Sequence, residues 1–302
     1  MKSKIEWVEI PAGEFLFGIS PEQVESIKNK VREETGYKKP DDHTNDLINN
    51  IINKPKTSKP KLTSEELNLL KSGEYGSLIR VERVLKDIQY FPNMKLDTFY
   101  ISRFPITYQQ LEEFPKTPSL GNLKYTYVTM AQDQNYSKIP AMVSWYIADW
   151  FCQWIGARLP TVAEWEKAAR GVDGRLYPWG NEWDINKGNF DPAVSKETGK
   201  ITDNLETSAT PVDSYPFGVS PFDVWDTCGN VYEWTSTLRV LDYGEGPLLK
   251  SHTVKHPTDL PWFDAILAFH RQGSRGLDDA FEYTGFRPVK DQWINKYWKG
   301  WR

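Results

Sequence analysis

Hydrophobic positions change period along the chain, and each change marks a change of element. In residues 7–18 apolar and polar residues alternate on both sides of Pro11-Ala12-Gly13, which predicts a β-hairpin. From Ser20 to about Tyr90 the spacing becomes helical. Ser20 with Gln23 makes a capping box ahead of Val24, Ile27 and Val31. Leu47, Ile48, Ile51 and Ile52 give a second amphipathic helix, and Thr63 with Glu66 opens a third. Leu78, Ile79, Val81, Val84, Leu85 and Ile88 give a fourth. The basic, proline-containing run Lys54–Lys61 reads as a linker between them, solvated rather than binding. Met94 to Ile101 returns to strand character, and Thr107 to Phe114 predicts a short helix. A further helix from about Trp145 to Ile155 carries Ala148, Phe151, Cys152 and Ile155 on its packed face.

The stretch 157–171 is the most sharply specified. Pro160 ends what precedes it, and Thr161 with Glu164 forms a capping box. Trp165, Ala168 and Ala169 share one face, so Glu166, Lys167 and Arg170 are expected to point away from the packed side. Glu164 and Glu166 therefore fall on opposite faces, unlike a carboxylate dyad. Asp173-Gly174 makes a turn, and Tyr177-Pro178-Trp179-Gly180-Asn181 an aromatic corner. Residues 181–222 are rich in Gly, Pro, Asn, Asp and Ser, a composition that ions or side-chain hydrogen bonds hold in place more often than ladders do.

At 302 residues the chain is long enough for one large domain or two ordinary ones. Its 13 Trp, 15 Tyr and 14 Phe make the core aromatic-rich despite a hydrophobic content of 39%. A net charge of −4 gives no basic footprint, so neither nucleic acid nor a membrane is expected as the main partner. Without a long apolar run or a charged-then-apolar leader, a cytoplasmic location is expected. Cys152 and Cys228 form either one bridge or two buried free thiols, and the residue's preference for burial favours the second. The tail Trp293–Arg302 alternates aromatic and basic residues. It suits packing back onto the domain at helical spacing better than base stacking.

Several ordered motifs carry a resemblance. These are Gly13-Glu14-Phe15-Leu16-Phe17-Gly18, Phe104-Pro105-Ile106-Thr107, Val143-Ser144-Trp145, Arg158-Leu159-Pro160-Thr161 and Glu164 to Gly171. They continue with Tyr177 to Asn181, Asp226-Thr227-Cys228-Gly229-Asn230-Val231-Tyr232-Glu233-Trp234 and Gly285-Phe286-Arg287. The chain resembles the formylglycine-generating enzyme (sulfatase-modifying factor) domain family over residues 5–18 and roughly 92–290. The resemblance implies an α+β fold, a C-type-lectin-like variant low in regular secondary structure. It would comprise residues 1–18 and 91–302, with 19–90 inserted as a helical block. Members of the family oxidise a substrate cysteine with copper held by two cysteines; others are sulfoxide synthases with iron-binding histidines, or target-binding scaffolds diversified near the C-terminus. The oxidase's cysteine pair would lie between the Glu-Trp-Thr motif and the final Gly-Phe-Arg, yet residues 236–284 contain no cysteine. Copper(I) favours soft thiolates, and that interval offers none.

By the same resemblance, Asp226 and Glu233 side chains and the Gly229 and Val231 carbonyls would hold a structural calcium ion. A second site would fall near Asn189, Phe190 and Asp203 or Asn204. The alternative is that Asp226 and Glu233 bond the turn's own amides. His252, His256 and His270 lie in the interval that has lost its cysteines, with Asp259 and Asp264 nearby. Histidines with a carboxylate are the makings of a transition-metal site, and so of a non-haem iron oxidoreductase; otherwise they are polar residues of a variable loop. Trp262 and Phe263, flanked by Pro257 and Pro261, suit recognition of a protein or peptide, or else plug the family's cleft. The leading expectation is a recognition scaffold or degenerate enzyme binding a protein or peptide through residues 240–275. The metal-dependent oxidoreductase and a C-terminally diversified target-binding protein are the alternatives.

Overall fold

The structure, a computed structural model, describes residues 4–54, 61–72, 75–86, 88–115, 137–190, 209–241, 244–250, 263, 266, 273–274 and 284–291. It resolves into two compact units, Met1–Phe17 with Asn93–Arg302 and Gly18–Pro92.

In the first unit, β1 (Trp7–Ile10) runs antiparallel to β4 (Phe99–Ser102), pairing Trp7 with Ser102 and Ile10 with Phe99. Strand β9 (Val289–Asp291) completes that sheet on the other edge of β4. β2 (Gly13–Gly18) pairs instead with β3 (Tyr90–Leu96), where the chain leaves this unit and returns to it. The expected hairpin across Pro11-Ala12-Gly13 is thus not formed: its two arms belong to different sheets. The reason lies in the turn. Gly13 adopts φ 139°, and the Lys167 ammonium takes the Pro11 and Gly13 carbonyls at 2.7 and 3.0 Å. A third sheet has the order β7-β6-β5-β8, with β5 (Tyr232–Leu241), β6 (Gly244–Lys250), β7 (Gly273–Ser274) and β8 (Thr284–Gly285), the last parallel to β5.

The main core lies around the helix Trp145–Trp154, which follows the four helices of the second unit and the short helix α5 (Tyr108–Leu111) and is designated α6. Ser144 caps it by accepting from the Ile147 amide. Its Ala148, Phe151 and Cys152 are fully buried with Ile106, Val143, Leu159, Trp234 and Phe286. Phe151 meets Phe286 edge-on at 5.5 Å, and Trp154 at 5.6 Å. Helix α7 (Val162–Arg170) has the capping box read from its sequence, Thr161 accepting from the Glu164 amide and Glu164 from that of Thr161. Glu166, Lys167 and Arg170, however, are at most 1% exposed, which corrects the expectation of an outward polar face. They are buried because each is paired: Arg170 bonds Glu166 at 2.7 Å and the carbonyls of Gly174 and Arg175.

The second unit is helical. α1 (Pro21–Thr35), α2 (Asp42–Asn53) and α3 (Ser64–Lys71) all pack on α4 (Gly76–Leu85). Ile48, Ile51 and Ile79 form the centre of its core. Both anticipated capping boxes are present, at Ser20/Gln23 and Thr63/Glu66. Glu66 is 3% exposed and takes the Lys54 ammonium at 2.5 Å, tying together the two flanks of residues 55–60. Gly76 is required, since a Cβ there would stand 2.3 Å from the Leu70 carbonyl oxygen. Among the described residues no helix is long and apolar enough to cross a membrane.

Candidate functional site

Strain and burial concentrate in the loop leading into β5. Asp223, Asp226 and Asn230 have φ of 62°, 54° and 67°, a left-handed region that non-glycine residues seldom enter. Such conformations persist only where the surroundings enforce them, and they cluster at functional positions. Here the enforcing contacts are visible. Ser220 Oγ accepts from the amides of Phe222 and Val224, at 3.2 and 3.1 Å. The Trp225 amide donates to the Arg103 carbonyl at 2.9 Å. Asn230 accepts from the Thr210 amide through Oδ1, donates to the Thr210 carbonyl through Nδ2, and donates its own amide to the Asn189 carbonyl. Gly229, at φ 100°, allows this approach, because a Cβ there would meet Asn189 O at 2.9 Å.

Beneath the loop lies a buried ion pair. Arg287 and Glu233 are both fully buried, with Nε to Oε2 at 2.6 Å and Nη2 to Oε1 at 2.7 Å. Trp165 Nε1 donates to the same Oε2 at 2.8 Å. Arg287 Nη1 donates to the Ser102 and Arg103 carbonyls, and Nη2 to that of Trp225. Every N–H of the guanidinium is thereby used, the condition under which a charge can be taken out of water. The residues joined come from β4, α7, the strained loop, β5 and the segment before β9, so this one fork ties the unit together.

Asp226 departs from this complete pairing. It is 7% exposed, and its Oδ2 has no hydrogen-bond partner among the described residues; Thr227 Oγ1 is in the same position. Burial pushes the Asp226 carboxyl up to about 8, against the lowering effects of Arg287 and Asn230 and with help from the negative Glu233 and Asp213. A buried carboxyl with an unused oxygen holds either a proton or a cation. Of the residues read as calcium ligands, Asp226, Gly229, Val231 and Glu233 follow one another along the loop into β5, with the Asn189 backbone against Gly229, and among the described residues no three His, Cys, Asp or Glu side chains are grouped to hold a metal ion. Their donor capacity fits a hard cation in part. Asp226 Oδ2 is available, Glu233 Oε2 already accepts twice, and Glu233 Oε1 accepts from Arg287.

Neither cysteine is in a disulfide and both are buried, as expected, with Cys152 in the core around α6 and Cys228 in the strained loop. Burial pushes each well above the ordinary thiol range, so both are neutral. A copper site built on a thiolate pair does not fit these positions. His252, His256, His270, Asp259, Trp262 and Asp264 lie outside the described residues, as do Asp203, Asn204 and the aromatic-basic tail 292–302. Phe263 is described and is 4% exposed, so its ring is not the exposed contact group proposed from sequence. It turns inward with Ile266, one helical turn on and 1% exposed.

The interior ion pairs of Arg287 and Arg170 were not anticipated. Arg287 stood out only as the end of a motif, and its partner is 54 residues away. Arg170 and Glu166 carried the i, i+4 spacing of a pair, a signal read as a surface feature.

The sulfatase-modifying factor enzyme 1-like domain model matches residues 56–292 of the chain, starting within the helical unit. Formylglycine-generating enzyme of Streptomyces coelicolor is 40% identical over 121 residues, covering 36% of this chain and 36% of that protein. Inactive C-alpha-formylglycine-generating enzyme 2 of Bos taurus is 40% identical over 96 residues, 32% of this chain and 31% of the relative. Serine/threonine-protein kinase pkn1 of Chlamydia caviae is 36% identical over 127 residues, 41% of this chain and 18% of the kinase. The chain thus spans about a third or less of these relatives' lengths. Among solved structures CarF has a TM-score of 0.53 at 15% identity, covering 95% of this chain and 98% of CarF, a likeness of fold.

Proposed function

The chain belongs to the sulfatase-modifying factor enzyme 1-like domain family, and from that premise we propose that it uses the family scaffold to recognise a protein or peptide rather than to oxidise a cysteine with copper. The observation that carries this reading is the state of the thiols. Copper(I) requires thiolates it can reach, whereas residues 236–284 have no cysteine and the chain's two thiols are neutral and enclosed. A family relative named as inactive shares 40% identity over its matched segment, which makes loss of the oxidase activity within this scaffold a reasonable course.

Recognition is assigned to residues 240–275, where the sequence replaces the cysteine-bearing interval by prolines, Trp262 and three histidines. Rigid aromatic anchors beside prolines supply binding energy at small entropic cost. We further infer a structural calcium ion at the strained loop, held by Asp226 with loop carbonyls. What supports it is the unpartnered, buried Asp226 Oδ2. When bound, the ion would supply charge balance and fix the loop conformation.

The test is co-purification from the native cell with the full chain and with a variant whose residues 240–275 are replaced by a glycine-serine run of equal length. Loss of a specific partner in the variant, with unchanged near-ultraviolet circular dichroism, is expected. Retention of that partner, or copper-dependent oxidation of a cysteine peptide by the wild type, would overturn the reading.

A further inference from the structure

The aromatic corner after α7 holds a feature that neither the buried ion pair nor residues 240–275 explain. Trp179 stacks on Tyr177 with centroids 5.4 Å apart and planes 5° from parallel. Trp183 stands 6.3 Å from Trp179 at 45°, and Phe190 closes on Trp183 at 4.8 Å and on Trp179 at 6.2 Å. Tyr177 is buried at 1% exposure, whereas Trp179, Trp183 and Phe190 are half-buried, so three rings converge at the surface on a packed base. A 3-10 turn, Ile185–Lys187, is capped by Asp184, which accepts from the Asn186 amide at 2.9 Å. That turn brings the Lys187 ammonium over the Trp179 ring, 5.8 Å from its centroid.

This cation is loosely held. The distance is near the outer limit of about 6 Å for an effective cation–π contact. The ammonium makes no hydrogen bond or ion pair among the described residues. Glu182 and Asp184 add negative charge to the same short segment. Exposed apolar groups border it. Ile185 is 56% exposed and Phe217 is 79% exposed, and the turn carrying Phe217 packs on the Lys187 carbonyl, which a Cβ at Gly218 would meet at 1.7 Å. An aromatic surface with acidic side chains, apolar neighbours and a weakly held internal ammonium is complementary to a lysine presented by another protein.

We propose that Trp179, Trp183 and Phe190 form a recognition subsite for a lysine side chain of a protein partner, and that Lys187 occupies it until that partner binds. Lys187 then acts as an internal competitor, lowering affinity for lysines presented in isolation and favouring partners that also cover Ile185 and Phe217. The subsite does not depend on residues 240–275.

The experiment titrates the full chain with Nα-acetyl-lysine N-methylamide and with its norleucine counterpart, following tryptophan indole N–H resonances by NMR. Trp179→Phe assigns the Trp179 signal. The lysine probe is expected to shift the Trp179 and Trp183 signals, and Lys187→Gln to tighten its binding roughly two- to fivefold, the scale of one exposed cation–π contact. Norleucine should shift neither signal. Equal affinity of wild type and Lys187→Gln, or equal shifts from both probes, would overturn the proposal. Lys187 is half-buried and lies outside the buried core, so its replacement leaves that core intact and this comparison decides even if Trp183→Leu fails to fold. A chain with 240–275 replaced should bind the lysine probe unchanged, which separates this subsite from the recognition surface proposed above.

Discussion

Glu233 and Arg287 are fully buried and fully paired, and that combination sets what their removal does. Glu233→Gln leaves a guanidinium without a counter-charge, at a cost of about 3–5 kcal/mol. Arg287→Met leaves the carboxylate with Trp165 as its one donor among the described residues and should cost a similar amount. The double variant Glu233→Leu/Arg287→Met should be less destabilised than the two losses added together, because neither charge is stranded. Urea unfolding of the four proteins measures this, and strict additivity would show that the pair is not coupled. Asp226 behaves differently, since its Oδ2 has no partner among the described residues and carries either a proton or a cation. If it carries calcium, dialysis against a chelator lowers the melting temperature of the wild type and added calcium restores it, with a dependence on ion concentration set by mass action. Asp226→Asn should melt at the same temperature with and without calcium; a wild type insensitive to chelator would remove the ion site. The identities of Asp226, Glu233 and Arg287 were legible in sequence as motif residues. Their roles were not, because the contacts that define them join segments 54 to 185 residues apart, which no local period reports.

At the scale of elements, legibility divides along the same line. Caps are local, and Ser20/Gln23, Thr63/Glu66 and Thr161/Glu164 could be read from a four-residue pattern. The burial of the polar residues on α7 is not local, because periodicity identifies an apolar face but not whether a second layer covers the polar one. Lys167 shows the consequence. Its stem is buried, desolvation lowers its affinity for a proton, and its ammonium pins the Pro11 and Gly13 carbonyls. Those bonds separate β1 from β2, where alternation alone predicted a hairpin. Lys167→Met keeps the packing volume but strands two carbonyls, so a loss of about 1–3 kcal/mol is expected. Amide exchange should rise first in Ala12 to Phe15; uniform loosening across the unit would show that the bonds do not hold that turn.

For the whole molecule, the question is whether the scaffold depends on its helical unit. Residues 18–92 have their own core around Ile48, Ile51 and Ile79, their own caps, and a Lys54–Glu66 clasp. The ends of that unit meet: a Cβ on Gly18 would overlap the Gln89 carbonyl oxygen at 1.7 Å, and β2 and β3 pair directly beyond it. A connection whose ends already touch adds little closure entropy whatever its length, since each doubling costs only about 0.6 kcal/mol. Replacing residues 19–88 by a two-residue Asn-Gly turn should therefore leave the Trp165–Glu233–Arg287 network and the near-ultraviolet signal of its tryptophans intact. The family model's match begins at residue 56, inside the unit, so part of the helical block lies within the span that the family pattern covers. If the family pattern there reflects a packing need, the shortened chain will lose that signal and unfold in less urea. If the helical block is an independent passenger on the scaffold, unfolding of the remainder will stay cooperative, with a denaturant slope reduced only by the surface that the excised helices no longer expose.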